Sequence, residues 1–130
     1  MRLDHAGLSV ADLDAAVAFW ERAFGFAVEF EFSLGEIRGV MLRGEAGRLE
    51  LFAHPRPADG LRAATPIDAL ATRGYGHVAL TAPDIEAPFA RAVEAGATPK
   101  VTPRPSPEPG IRFAFLADPE GNLVELVERK

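Results

Sequence analysis

Apolar residues recur along this chain with two spacings, which follow one another in the same order in each half. Before position 54, alternating apolar residues predict strands over 3–10, 26–32, 37–42 and 48–52. A stripe with helical spacing lies between the first two strands and consists of Leu13, Ala16, Val17, Trp20 and Phe24. Asp12 is placed to cap this helix and Gly25 to end it. In the second strand, Phe26, Val28, Phe30 and Phe32 predict one buried face, and the glycine-rich residues 44–47 predict a hairpin turn.

The second half repeats this order. A strand is predicted over 77–82, then a helix opened by Pro83 and Asp84 and ended by Gly96, then strands over 111–116 and 123–127. The helix stripe consists of Ile85, Phe89, Ala92 and Val93. Residues 99–110 hold so many prolines that they fit only an edge strand running into an extended loop.

Each half therefore reads as a βαβββ unit. We predict an α+β fold of two βαβββ modules in a single domain spanning 1–130. Module one covers about 1–54, a connection covers 55–75, and module two covers 76–130. The connection is rich in proline, alanine and glycine, and we expect one short helical turn within it. A loop of this length is either an ordered segment that serves a neighbouring site or a disordered one.

Composition excludes several classes of function. The net charge is −5, with 14 Lys and Arg against 19 Asp and Glu, so a nucleic-acid partner is not expected. The absence of cysteine excludes disulfides, thiolate metal sites and cysteine nucleophiles. No apolar run approaches the ~20 residues of a membrane span, and the first residues lack the apolar region of a signal peptide. We expect no membrane partner and a cytoplasmic location.

A histidine begins the first strand of each module, and a glutamate lies in each last strand. His5 and His77 are each followed at the same distance by an aspartate, and Glu50 and Glu125 each lie between large aliphatic residues. Taken singly, a strand glutamate is typical of a solvated face, and a lone histidine is typical of packing. The repetition of both residues at matching positions favours a metal site instead. Imidazole nitrogen and carboxylate oxygen suit Zn, Ni, Mn, Co or Fe(II), and four such ligands leave positions open for substrate.

The sequence resembles the vicinal oxygen chelate superfamily, which comprises glyoxalases, bleomycin-resistance proteins and extradiol dioxygenases. The resemblance spans essentially the whole chain and rests on LDHAGLSVADLDAAVAFWERAFGF, GYGHVALTAPDIEA and FAFLADPEGNLVELVE. It implies that the paired modules form a U-shaped mixed sheet around one divalent metal, with His5, Glu50, His77 and Glu125 as ligands.

The set of ligands discriminates within that superfamily. Extradiol dioxygenases and fosfomycin-modifying transferases use two histidines and one glutamate, which match His5, His77 and Glu125. Bacterial glyoxalase I has His, Glu, His, Glu, as this chain does. The resemblance thus favours a glyoxalase-I-like lyase or isomerase acting on an α-hydroxy or α-keto carbonyl substrate. A metal-bound carboxylate could take a proton beside the carbonyl and return it to the neighbouring carbon; Glu125 is the first choice for this base and Glu50 the second.

At two positions the sequence differs from glyoxalase I, and both differences argue against glutathione as the thiol of the substrate. Ser9 stands where an arginine would bind glutathione, and His54 stands where an asparagine would. Ser9, Phe52 and Thr81 share the inward parity of the expected ligands and are candidate substrate residues. Arginines that could hold an anionic substrate are Arg112, Arg104 and Arg38.

Two alternatives to the lyase remain open: an Fe(II)-dependent extradiol-type dioxygenase, and a non-enzymatic small-molecule binding or resistance protein. The resemblance also implies a homodimer, and it leaves open whether each site combines strands from both chains.

Overall fold

The computed structural model describes residues 1–45 and 47–130; Ala46, within the predicted hairpin turn, lies outside the described residues. The chain divides into two compact units, Met1–Asp59 and Gly60–Lys130. Each unit contains a four-stranded mixed sheet and at least one helix, which confirms the predicted α+β class and the two βαβββ modules. No described helix is long and apolar enough to cross a membrane.

The first unit contains β1 (Ala6–Ser9), α1 (Leu13–Phe24), β2 (Ala27–Leu34), β3 (Ile37–Arg43) and β4 (Arg48–Ala53). Its strand order is β1-β4-β3-β2, with β1 parallel to β4 and the other neighbours antiparallel. The last strand in sequence is therefore central and lies beside the first. This topology places the start of β1 next to the start of β4, where Ala6 lies opposite Leu49.

The second unit has the same topology. It contains α2 (Pro66–Ala69), β5 (His77–Ala82), α3 (Glu86–Glu94), β6 (Thr98–Pro105), β7 (Arg112–Ala117) and β8 (Leu123–Glu128). The strand order is β5-β8-β7-β6, and β5 is parallel to β8. The short helix α2 is the helical turn expected in the connection. The proline-rich β6 lies at the sheet edge, as predicted, with register shifts along its pairing to β7.

Helix α1 forms as its sequence predicts. The Asp12 carboxylate accepts a hydrogen bond from the Ala15 amide at 3.0 Å, and Gly25 ends the helix with φ of 71°. That left-handed conformation is one that glycine adopts without steric cost. Trp20 is buried on the stripe, and its ring meets those of Phe19, Phe24 and Phe26.

Each sheet has one face against a helix and one face away from it. In the first unit α1 packs on β3 and β4, and the buried residues of that face are Val40, Leu42, Leu49 and Leu51. Burying each such side chain contributes roughly 1.5–3 kcal/mol to folding. Because side chains alternate along a strand, Glu50 lies on the opposite face. The second unit repeats this arrangement, with Val124 and Leu126 buried on either side of Glu125.

The prediction of one buried face for 26–32 is wrong in two respects. Val28 and Phe30 remain 41% and 46% exposed. The pairing of β2 with β3 also shifts between Val28 and Phe30, so the residues on either side of Glu29 do not continue one alternation. A bulge of this kind adds one residue to one strand and re-aims its side chains.

Candidate metal centre

In the first unit the topology brings His5 and Glu50 together. His5 directly precedes β1, and the β1 residue Gly7 lies opposite Glu50 on β4. The distance from His5 Nε2 to Glu50 Oε2 is 3.1 Å. The His5 side chain is 34% exposed and that of Glu50 is 19% exposed, so both are partly buried yet reachable from solvent.

The second unit contains the same pair in nearly the same geometry. His77 begins β5, and Ala79 lies opposite Glu125 on β8. The distance from His77 Nε2 to Glu125 Oε2 is again 3.1 Å, and the two side chains are 37% and 22% exposed. The two modules therefore repeat the same contact, between a histidine Nε2 and a glutamate Oε2, as well as the same sequence pattern.

The structure brings the four predicted ligands together as two pairs. Each pair presents one imidazole nitrogen and one carboxylate on the sheet face away from the helix. In the part of the chain that the structure describes, no three His, Asp or Glu side chains gather as a metal-binding group. A centre that uses all four ligands is therefore a proposal, which is taken up below.

A chain of charges supports His5 in the first unit. The Asp4 carboxylate accepts a hydrogen bond from His5 Nδ1 at 2.8 Å and lies 3.6 Å from the Arg48 guanidinium. Arg48 and Arg43 both donate to Glu29, whose position in β2 follows from the bulge. The network thus runs from β2 across β3 and β4 to the residue before β1.

The pKa values in this network follow from its hydrogen bonds. The bond to Asp4 raises the pKa of His5 above its ordinary value, and the negative charge of Glu50 adds to the effect. The pKa of Asp4 is lowered, chiefly by the same hydrogen bond. The bonds from Arg48 and Arg43 lower the pKa of Glu29 to about 2.

The candidate substrate residues lie on the same faces as the pairs. Ser9 is opposite Phe52 in the pairing of β1 with β4, two positions along from Gly7 and Glu50. Thr81 lies two positions after Ala79 on β5. Ser9 and Thr81 are exposed, and Phe52 is half-buried.

Aromatic rings extend the face beside Glu50. The Phe32 and Phe52 rings meet edge to face at 5.7 Å. Phe32 also covers Gly39, where an added Cβ would come within 2.3 Å of the ring. The absence of a side chain at Gly39 is what lets this ring lie against the sheet.

The face beside Glu125 is aromatic as well, and the connection covers part of it. The His77 and Phe115 rings meet edge to face at 5.1 Å, and Phe113 lies next to Phe115. Ala63 and Ala69 of the connection pack in the apolar cluster that contains Phe115. The connection therefore packs on the sheet face that carries Glu125, and its role beside a site stays a prediction.

Of the three candidate arginines, two are engaged on the helix faces. Arg38 donates to Asp14 in the first turn of α1 at 3.1 Å. Arg112 donates to Glu86 in the first turn of α3 and also to Glu128. Their positions in the two modules are equivalent, so each ties a strand to its helix. Arg112 is therefore not carried into the proposed substrate site.

Arg104 differs from the other two. It lies opposite Phe113 in the sheet, on the face of Glu125. Its guanidinium donates to the Thr102 carbonyl and to the Thr102 hydroxyl, both at 3.1 Å. These bonds hold the group without neutralising its charge. His54, the other departure from glyoxalase I, is exposed and accepts a hydrogen bond from the Arg56 amide at 3.0 Å.

Sequence reasoning missed three parts of this region: Asp4, the pair Arg48 and Glu29, and Gly39. The sequence did offer a signal for Asp4. An acidic residue directly precedes His5, whereas Gly76 precedes His77. The sequence offered no signal for Glu29, because the position of its side chain depends on the bulge in β2. Gly39 could be recognised only once Phe32 was known to lie on it.

Comparison with known proteins gives a consistent picture. The family model described as the Glyoxalase/Bleomycin resistance protein/Dioxygenase superfamily matches residues 2–126. A Vibrio cholerae protein named "Probable lactoylglutathione lyase" is 28% identical, with 99% of this chain and 91% of that protein covered.

Two solved structures are similar in fold. A glyoxalase family protein from Bacillus cereus superposes with a TM-score of 0.80 at 24% identity, covering 98% of this chain and 93% of the other. Glyoxalase I from Zea mays gives a TM-score of 0.78 at 21% identity over 98% of this chain. The match covers 44% of the maize protein, so this chain spans less than half of it.

Proposed function

The chain belongs to the Glyoxalase/Bleomycin resistance protein/Dioxygenase superfamily, and on that premise we propose that it is a metal-dependent lyase or isomerase of the glyoxalase I type. Its substrate would be an α-hydroxy or α-keto carbonyl compound. The observation that carries the proposal is the duplicated pair, in which a histidine Nε2 lies 3.1 Å from a glutamate oxygen in each unit.

The residues present fit one divalent metal. His5, Glu50, His77 and Glu125 supply two imidazole nitrogens and two carboxylates, a set suited to Ni, Zn, Co, Mn or Fe. Both histidines use Nε2 towards the glutamate, and all four side chains remain partly exposed. When bound, such a cation supplies Lewis-acid stabilisation of the negative charge that develops on adjacent substrate oxygens.

The proton transfer is assigned to a glutamate. Glu125 is the proposed base: its carboxylate takes the proton from the carbon beside the carbonyl and returns it to the neighbouring carbon. Glu50 is the second candidate because its surroundings on the sheet match. The aromatic rings beside each glutamate, Phe52 in one unit and Phe115 in the other, would restrict water near the reacting carbon.

Glutathione is disfavoured as the thiol of this substrate. Ser9 lies on the face of Glu50, where it has no positive charge to offer an anionic thiol. Arg104 is a cation on the face of Glu125. Strand spacing puts the Cα atoms of Arg104 and Glu125 roughly 12 Å apart. We propose that Arg104 binds a carboxylate at the far end of the substrate, with Phe113 beneath its body.

The test is an assay with the hemithioacetals that methylglyoxal forms with several thiols, glutathione included, on protein loaded with Ni²⁺ or Zn²⁺. Turnover with a thiol other than glutathione is expected, because Ser9 replaces the glutathione-binding arginine. Absence of turnover with every thiol would overturn the lyase assignment.

Aromatic rings lie on the sheet faces of both Glu50 and Glu125, and they favour a second candidate function. Phe32 meets Phe52 in one unit and Phe113 meets Phe115 in the other, and either pair of rings suits an aromatic diol, the substrate of an Fe(II) extradiol-type dioxygenase. Oxygen consumption by the iron-loaded protein with a catechol would favour that enzyme. Ligand binding by metal-free protein, without turnover, would favour a binding or resistance protein instead.

We also propose a homodimer in which each site could draw its two pairs from one chain or from both. Light scattering is expected to give twice the mass of the chain, and the mass of a single chain would contradict this.

A further inference from the structure

The two histidines have matching contacts at Nε2 and different contacts elsewhere. His5 Nδ1 donates to Asp4 at 2.8 Å, and Asp4 is in turn held near Arg48. Arg48 is fixed by two hydrogen bonds to Glu29, at 2.8 and 2.9 Å. The His5 ring thus has a carboxylate at each nitrogen, and the shorter contact is the one between Nδ1 and Asp4.

Among the described residues, no counterpart of this support occurs at the equivalent place in the second unit. Gly76 precedes His77, and Leu123 occupies the position that Arg48 has in the first unit, as the pairings of β4 and β8 show. Besides Glu125, the His77 ring contacts the apolar ring of Phe115. The sequence differences between the modules therefore fall at the residues that would orient the ring.

We propose that Asp4 is a positioning residue that fixes the ring and tautomer of His5, so that the two histidine–glutamate pairs are unequal in rigidity. This inference rests on the proposed metal centre. A proton on Nδ1 leaves the Nε2 lone pair directed at the cation, and a carboxylate at Nδ1 also makes the imidazole a stronger donor. The less constrained pair, His77 and Glu125, retains the freedom that a proton-carrying carboxylate needs.

Two readouts test the inference without any measurement of activity. The first is the Ni²⁺ affinity of the metal-free protein and of Asp4→Ala, Asp4→Asn and Asp4→Glu. Asp4→Ala is expected to weaken binding roughly 10- to 100-fold, the usual effect of removing such a partner. Asp4→Glu is expected to recover part of the loss, because a carboxylate is restored.

The matched control is Asp14→Asn. It removes one negative charge from an exposed position in the same unit, on the helix face, where Asp14 pairs with Arg38. Its Ni²⁺ affinity is expected to stay within about twofold of wild type, since exposed ion pairs have small effects. Equal affinities for Asp4→Ala and Asp14→Asn would overturn the inference. Absence of Ni²⁺ binding by wild type would instead overturn the proposed function.

The second readout is the nitrogen chemical shifts of the histidine rings in metal-free protein, at a pH where the rings are neutral. Wild type is expected to carry the His5 proton on Nδ1, and Asp4→Ala to move it towards Nε2, the tautomer that free imidazole side chains prefer. The His77 signals are expected to stay unchanged. An unchanged His5 tautomer in Asp4→Ala would contradict the positioning role even if the metal affinity fell.

Discussion

At the scale of single residues, the role of an arginine depends on which face of its strand the side chain occupies. Arg38, Arg112 and Arg104 were interchangeable candidates in the sequence. The first two are engaged by first-turn acids of the helices, whereas Arg104 is held by Thr102 on the face of Glu125. Alternation along the strands, and not residue type, separates them.

Arg104→Ala is expected to raise KM roughly tenfold for a carboxylate-bearing substrate and to leave kcat nearly unchanged, because a charged hydrogen bond made equally in ground and transition states is lost. Arg91→Ala is the matched control, since it removes one positive charge from α3 on the other side of the sheet. Steady-state kinetics distinguishes the two. A KM for Arg104→Ala equal to that of the control would remove Arg104 from the substrate site.

Glu29 gives a prediction about pH. Its pKa is lowered from 4.5 to about 2 in the folded protein, so its ion pairs add stability above pH 4.5 that is lost as the pH falls towards about 2. Glu29→Gln is therefore expected to be less stable than wild type at neutral pH, with the difference shrinking over that interval. Chemical denaturation at a series of pH values measures it, with Glu21→Gln in α1 as the control. A difference that stays constant with pH would count against the network.

At the scale of elements, the site faces depend on close approach between neighbouring strands. Phe32 reaches Phe52 only by lying across Gly39, whose missing side chain opens the surface of β3. The bulge in β2 then places Glu29 beside Arg43 and Arg48. Both features shape the part of the sheet that surrounds Glu50.

Gly39→Ala is expected to destabilise the protein by about 1–3 kcal/mol, because its Cβ would overlap the Phe32 ring. Gly7→Ala is the control on the neighbouring part of the sheet, since nothing lies within 4 Å of a Cβ there. The double variant Gly39→Ala with Phe32→Ala should show a strong interaction energy in a mutant cycle. Equal melting curves for the two single variants would refute the assigned contact.

At the scale of the whole molecule, the chain is one βαβββ design used twice, and this is the part that sequence reasoning predicted well. The helix stripes, Asp12, Gly25 and the positions of His5, Glu50, His77 and Glu125 are local or periodic signals, and the elements lie within a few residues of their predicted bounds. Local sequence signals suffice to predict those features that are determined within a single helix or strand.

What could not be predicted depends on pairing between elements. The exposure of Val28 and Phe30, the bulge at Glu29 and the engagement of Arg112 by Glu86 all arise from neighbours distant in sequence. Periodicity places each proposed ligand on its face of the sheet, and the metal content of the intact protein counts the ions.

The central claim is that four side chains, two from each module, hold one divalent metal. Its most direct test is the metal content of protein dialysed against Ni²⁺ and then against metal-free buffer, for wild type, His77→Ala and Glu125→Gln. His54→Ala, the remaining histidine, and Glu94→Gln serve as controls. We predict about one ion per chain for wild type and both controls and near-complete loss in the two site variants. Wild-type metal content in both His77→Ala and Glu125→Gln would contradict the account.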